Sequence, residues 1–380
     1  MLIRSLLKTF AGWTCLALLA SASVAHAGGS PRRISGVQEG NCYNPIISPD
    51  GTQVAYEVNF FERRVIELYV YDLTSNTEAP VTPKKGGGSS STLSAFNVQK
   101  RQVTYELNWQ PNARKKYLFS SSGDDENYNI YLSTGGTLTD DPAADGMAVW
   151  SQDAQYIAFS SARSGEGDLF LIDINNTEAK PRQLTAFDNS TEWYPTWSPD
   201  GKRLLFVRHF QKGGDNLFVI NDIEKPRDSI VELTNWPSIQ TKPSWSPDGK
   251  LVAFYSNRRA KERYDVYVVE PAANSTPRLV IENVIPNERF GPAWTPDGKS
   301  LLVVQDEAER FNPIRVVSVA DPTKVKILAT GTQNNGDLYV VKPENGQALL
   351  AFTAQGRIGD SIKSFKRVYV FTLDTADFSF

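Results

Sequence analysis

Short apolar runs recur along the chain in pairs, and a polar turn joins each pair. Leu204-Leu205-Phe206-Val207 follows Trp197-Ser198-Pro199-Asp200-Gly201-Lys202. Leu251-Val252-Ala253-Phe254-Tyr255 follows Trp245-Ser246-Pro247-Asp248-Gly249-Lys250, and Leu301-Leu302-Val303-Val304 follows Trp294-Thr295-Pro296-Asp297-Gly298-Lys299. Each pattern predicts two strands and a hairpin. Proline presets φ at the first turn position, aspartate tolerates the second, and glycine supplies the positive φ that closes the turn.

Weaker copies extend the series. Ser48-Pro49-Asp50-Gly51, Trp109-Gln110-Pro111-Asn112, Trp150-Ser151-Gln152-Asp153 and Lys342-Pro343-Glu344-Asn345-Gly346 each precede an apolar run. The marks fall at 49, 111, 152, 199, 247, 296 and 343, which gives seven units of about fifty residues. A third apolar run follows in each unit, for example Leu217-Phe218-Val219-Ile220. A shorter fourth run, such as Leu184-Thr185 or Leu233-Thr234, ends six of them. β-Branched and aromatic residues dominate, and no sustained helical period occurs after the N-terminal segment. The pattern predicts an all-β fold: a β-propeller of four-stranded blades, seven favoured over six.

The seventh unit has three strands. Arg33-Ile34-Ser35-Gly36-Val37 offers a spare strand, expected to pair into the last blade and close the ring. Lys84-Lys85-Gly86-Gly87-Gly88-Ser89-Ser90-Ser91 reads as a loop inserted before the second blade. Residues 1–27 read as a signal peptide: Arg4 and Lys8, an apolar stretch from Phe10 to Val24, then Ala25-His26-Ala27. The single propeller domain is expected over 28–380. The apolar stretch is shorter than the roughly 20 residues needed to span a bilayer.

The whole chain carries 40 basic and 43 acidic residues. Removal of residues 1–27 takes away two basic ones, leaving 38 against 43, or −5. Such a mildly acidic, mixed surface gives no footprint for nucleic acid. Cys42 is then the lone cysteine, so no internal disulfide is available and stability must come from packing. A buried, inert role is expected for it.

The phrase W-S-P-D-G-K resembles the propeller repeat of the TolB family when followed by a strand ending Phe-x-Ser-x-Arg and by Asp-x-Tyr or Asp-x-Phe. Phe159-Ser160-Ser161-Ala162-Arg163 with Asp168-Leu169-Phe170 carries the resemblance, as does Phe254-Tyr255-Ser256-Asn257-Arg258 with Asp265-Val266-Tyr267. The repeat covers essentially all of the chain after residue 27. The same repeat occurs in the propellers of prolyl-oligopeptidase-type peptidases and in oligogalacturonate lyases. TolB carries an α/β domain before a six-bladed propeller, whereas this chain has about twenty residues there. The resemblance implies a periplasmic, monomeric, protein-binding propeller whose partner is an envelope protein such as a Pal-like lipoprotein.

Catalytic chemistry finds few residues to work with. His209 is the one histidine outside residues 1–27, too few for a zinc site or a histidine-rich metal centre. No Gly-x-Ser-x-Gly elbow occurs. No enzyme activity and no cofactor are expected. The acidic loop Asp124-Asp125-Glu126-Asn127 offers oxygen ligands for a structural calcium ion but lacks a recognised ligand spacing. Arg163 with Asp168, Arg208 with Asp215 and Arg258 with Asp265 read as pairs that pin hairpins.

Residues before the first strands, and those in loops between second and third strands, gather at one end of a propeller. Trp, Tyr and Arg are the types that carry binding hot spots. The expected partner-binding funnel face therefore comprises Glu192, Trp193, Tyr194, His209, Arg259, Arg289, Phe290 and Arg310. A second reading, carbohydrate binding or cleavage in the channel, places Glu192 and Asp145 at its mouth.

Overall fold

The structure is a computed structural model. It describes residues 30–81, 104–113, 115–122, 127–177, 179–307, 311–344, 346–357 and 365–380. The signal segment, the 84–91 loop, residues 124–126 of the acidic loop and Arg310 lie outside the described residues.

The described residues form successive antiparallel strand groups, one at each sequence mark, with the innermost strand running into the mark; the groups at the fifth and sixth marks are joined in one eight-stranded sheet. The fourth group shows the plan: Ser190–Trp197, Leu204–Phe210, Asp215–Ile220 and Ile230–Glu232, paired in sequence order. The second group has three strands; its fourth run forms no strand, but Leu138 N donates to Ile130 O at 2.7 Å beside a bridge between Tyr131 and Thr137. One short helix, Thr375–Phe378, seats Phe378 against the core of the sixth and seventh groups.

The repeated phrase builds each hairpin through a hydroxyl relay. Ser246 Oγ donates to Asp248 Oδ1 at 2.7 Å and accepts from Leu251 N at 2.9 Å. Ser48 with Asp50, Ser151 with Asp153 and Thr295 with Asp297 repeat the arrangement. The closing residue is left-handed, at φ 68° for Gly249 and φ 69° for Gly298. In the third group Ala154 takes that place at φ 57°, so the turn survives the loss of its glycine.

The phrase also couples neighbours. Trp245 Nε1 donates to Thr196 O at 3.1 Å, Trp294 Nε1 to Ser244 O at 3.3 Å, Trp109 Nε1 to Ile46 O at 3.2 Å and Trp197 Nε1 to Val149 O at 3.4 Å. Each indole thus packs its own group and hydrogen-bonds the preceding one. The Leu-Thr runs expected as fourth strands lie just beyond them. Thr185 Oγ1 and Thr234 Oγ1 accept from Leu169 N and Leu217 N, each at 2.9 Å, and end the pairing.

The N-terminal segment pairs where expected, one residue earlier. Arg32–Arg33 lies beside Arg367–Leu373, with Arg32 opposite Val370. Ile34 N then donates to Val368 O at 2.9 Å. Val54, Tyr56 and Val58 of the first group share a core with Ala351, Val368 and Val370 of the last, and Cys42 is buried there. First and last groups therefore close a ring. No helix among the described residues is long and apolar enough to cross a membrane.

Candidate functional site

The innermost strand of every group but the sixth is broken by a β-bulge or register shift. The bulges fall between Tyr43 and Ile46, Tyr105 and Asn108, Trp193 and Thr196, Thr241 and Ser244, and Gly336 and Tyr339. At each of these sits a non-glycine residue with positive φ: Asn44 at 49°, Glu106 at 60°, Tyr194 at 51°, Lys242 at 49° and Asp337 at 47°. Met147, at 54°, holds the equivalent place in the third group, where the register also shifts. A left-handed non-glycine residue costs about 1–2 kcal/mol. A bulge re-aims the side chain that occupies it. Glu106, Met147, Tyr194 and Lys242 accordingly line a central cavity of about 800 Å3.

The sixth group departs from this plan. Its innermost strand is reduced to Ala293–Trp294. The outer strand of the fifth group, Arg278–Ile285, runs on and takes the vacated edge, pairing Val284 with Gln305 and Ile285 with Val304. The segment that follows is pushed into the channel. Asn287 Nδ2 donates to Leu338 O at 3.2 Å and Asn287 Oδ1 accepts from Leu338 N at 2.9 Å, so its amide imitates a strand partner. Glu288 N donates to Asp337 Oδ1 at 2.9 Å. Arg289 reaches across to the second group, where Nη1 donates to Leu107 O at 3.3 Å, and lies 4.0 Å from Glu57 of the first. Phe290 packs edge-on against Tyr339 of the seventh, centroids 5.4 Å apart.

Gly291 makes the crossing possible. A Cβ there would sit 2.4 Å from Lys242 O and 2.8 Å from the carbonyl carbon of Pro243. Burial pushes the Glu57 carboxyl up, while Arg289 beside it and the hydrogen bonds from Glu106 N and Asn44 pull it down. Burial also pulls the Lys242 ammonium down, and its Nζ donates to Asn287 O at 2.7 Å.

Other expected site residues lie elsewhere. Glu192, assigned to the funnel face, is fully buried instead. Its carboxylate accepts from Ser190 Oγ at 2.9 Å and from Thr185 Oγ1 at 3.1 Å, and the same Thr185 hydroxyl lies 3.1 Å from Asp168. Burial, with Asp168 beside it, pushes the Glu192 carboxyl up to about 8. Asp145, the other carboxylate considered for sugar chemistry, is also buried and holds Arg163 at 2.8 Å.

The arginine pairs differ from expectation. Arg163 takes Asp145 rather than Asp168, and Arg208 takes Glu192 at 3.8 Å. Arg259, not Arg258, faces Asp265 at 3.6 Å. The pairing register explains the first of these. Ser161 is opposite both Asp168 and Asp145, and Arg163, two residues on, turns back to the inner strand. Arg163, Arg208 and Arg258 also lie over aromatic rings, Arg208 at 3.8 Å from the Phe187 centroid and Arg258 at 4.1 Å from that of Trp236.

Trp193 and His209 remain together at the rim. Their rings stack in parallel, centroids 5.1 Å apart and planes within 1°. His209 Nδ1 is 2.6 Å from Asp215 Oδ1. On the neighbouring fifth group Arg259 is exposed and bonds Glu282 at 2.6 Å. The eight named residues thus divide. Tyr194, Arg289 and Phe290 face the channel, Trp193, His209 and Arg259 stand at the rim, Glu192 is internal and Arg310 lies outside the described residues. Asn287 and Glu57 were not anticipated. Gly291, standing where other units place the bulge residue, was the available signal. Among the described residues no group of three or more His, Cys, Asp or Glu side chains is placed to hold a metal.

A closed ring of antiparallel strand groups around a lined channel defines a β-propeller protein. Residues 180–365 match the family model described as the TolB beta propeller domain. The chain is thus a β-propeller protein whose residues 180–365 are of the TolB type. It is similar to an oligogalacturonate lyase solved with manganese, at 12% identity and TM-score 0.60, over 92% of this chain and 95% of that one. It is also similar to the β-propeller domain of Myceliophteria thermophila Cps50 (Swd1), at 13% identity and TM-score 0.56, over 90% of this chain and 100% of that one. TolB from Acinetobacter baumannii aligns at 16% identity and TM-score 0.42, over 86% of this chain and 78% of that one. At these identities the likeness is one of fold. No curated protein matches the chain.

Proposed function

We propose that the protein is an exported, periplasmic, seven-bladed TolB-like propeller that acts as a monomeric, non-enzymatic scaffold for another envelope protein. The partner docks at the end of the ring that bears Trp193, His209 and Arg259. The observation that carries this reading is the Trp193–His209 plate, stacked at 5.1 Å and tethered by Asp215. A side chain fixed before binding loses little rotamer freedom on docking, and tryptophan and arginine supply the largest hot-spot energies. The TolB-type repeat supports the choice of an envelope partner. Carbohydrate cleavage is the weaker reading, because Asp145 and Glu192 are both buried and bonded within their own blades.

Binding to a purified Pal-like lipoprotein from the same source tests the proposal. Trp193→Ala with Arg259→Ala should weaken it at least tenfold while leaving the melting temperature within a few degrees. Undiminished binding by that double variant would exclude the rim as the docking face.

A further inference from the structure

One blade seam is built to need a proton. Thr185 follows the outer strand of the third blade and meets Glu192, on the inner strand of the fourth; both are buried, as is Asp168. Thr185 Oγ1 accepts from Leu169 N at 2.9 Å and lies 3.1 Å from both Asp168 Oδ1 and Glu192 Oε2. A hydroxyl carries one hydrogen, so it can be donated to only one of these carboxyls. The other contact is a hydrogen bond only if that carboxyl brings a proton of its own. The chain Glu192–Thr185–Asp168 therefore holds one proton more than two carboxylates would, and the pair shares it.

The neighbouring seams avoid this need. Between the fourth and fifth blades the same places hold Asn216, Thr234 and Gln240, and Thr234 Oγ1 donates to Asn216 Oδ1 at 3.4 Å. Between the second and third they hold Asn129, Thr139 and Asp145. Thr139 Oγ1 donates to Asn129 Oδ1 at 3.4 Å, and Asp145 keeps Arg163 at 2.8 Å. Glu192 has a more distant cation, since Arg208 Nε donates to Ser190 Oγ at 2.9 Å and stays 3.8 Å away.

The other charged groups on the surrounding elements are engaged. Asp168 Oδ2 accepts from Ser164 Oγ and Gln183 Nε2, and Glu166 of the adjoining loop accepts from Gln211 Nε2. His209 pairs with Asp215, Glu232 on the fourth blade's outer strand acts on Arg208, and Lys242 of the fifth blade bonds Asn287 O.

The seam also places the rim plate. Glu192 N donates to Gly167 O at 2.9 Å, Ser160 Oγ to Glu192 O at 2.8 Å and Thr191 Oγ1 to Glu166 O at 2.8 Å, all across to the third blade. Trp193 is the next residue, and His209 stands opposite Thr191. Burial, with Asp168 beside it, pushes the Glu192 carboxyl up to about 8. A closed seam thus binds more protons than an opened one between the usual 4.5 and that value, so opening is favoured as pH rises through the window.

We infer that the seam between the third and fourth blades is a proton-held latch: with its shared proton the Glu192–Thr185–Asp168 chain keeps the Trp193–His209 plate in place, and without it the two carboxylates repel and the seam opens beside the plate. Its effect on docking rests on the proposed rim partner.

Amide hydrogen exchange of the full chain tests the latch, read as protection factors for residues 165–167 and 190–193 at about pH 6 and about pH 8.5. Relative to the Val252–Ala260 strand, wild-type protection there should fall by about tenfold or more. Glu192→Gln, whose amide donates without titrating, should keep its protection at both pH values. Asp168→Asn removes the second carboxylate and should flatten the response as well, so the test survives if one variant fails to fold. No fall in the wild type, or an equal fall in a folded variant, would overturn the latch. Affinity for the Pal-like lipoprotein should drop in parallel in the wild type and hold in Glu192→Gln. A lipoprotein bound equally at both pH values would overturn the control of docking. One that binds at neither would exclude the rim partner, while exchange still decides the latch.

Discussion

The fourth and sixth blades carry the same phrase and use it to opposite ends. Counting back five residues from the phrase's tryptophan gives Glu192 in one and Arg289 in the other. In the fourth blade the inner strand is complete from Ser190 to Trp197, and Glu192 is buried with Arg208 of its own blade. In the sixth the inner strand keeps only Ala293–Trp294, and Arg289 reaches over the channel to the second blade. Three residues before the tryptophan stand Tyr194 and Gly291. Tyr194 accepts a strained left-handed bulge and turns its ring to the channel, whereas Gly291 lets the backbone press against Lys242. A repeat therefore fixes the hairpin and leaves the half-strand before it free to change role.

The contrast breaks most sharply at Gly291. Gly291→Val should cost about 3 kcal/mol or more, because its Cβ would meet backbone that cannot move aside. Chemical denaturation measures this, and a loss under about 1 kcal/mol would mean the blades are not in such contact.

The next effect belongs to Glu192. In the folded protein its carboxyl keeps its proton up to about 8, while the unfolded chain releases it near the usual 4.5. The folded state then binds more protons between these values, so stability falls as pH rises through that window and levels off above it. The change should be on the order of a few kcal/mol. Glu192→Gln should flatten the slope, and a variant that keeps the wild-type pH profile would reassign it to another group.

A smaller effect separates the tryptophans. Trp245→Phe loses the bond to Thr196 O, whereas Trp150 Nε1 has no hydrogen-bond partner among the described residues, so Trp150→Phe forfeits packing alone. The difference should be about 1 kcal/mol in favour of the Trp150 variant, read from paired denaturation curves. Equal losses would show that the inter-blade bond contributes nothing.

Much of the fold was legible because its signals are local and repeated. Ser246, Asp248 and Gly249 settle a turn within six residues, and the same chemistry recurs from Ser48 to Thr295. Ring closure was legible from a missing strand and a spare one. The site was less so. Nearness in sequence pairs Arg163 with Asp168, but strand register brings it to Asp145, eighteen residues away. The channel crossing depends on Ile285 meeting Val304, a pairing that no repeat specifies. Two oddities still marked it: an arginine where the third and fourth blades carry buried acids, and a glycine where they carry Met147 and Tyr194.

The most direct measurement is a double-mutant cycle between Arg289 and Glu57, which lie 232 positions apart in the chain. Arg289→Met, Glu57→Gln and the double variant are compared by denaturation. If the 286–292 segment bridges the channel, the two changes should be coupled by about 1 kcal/mol or more. Strict additivity, with both single variants folded, would contradict the crossing and return Arg289 to the open funnel.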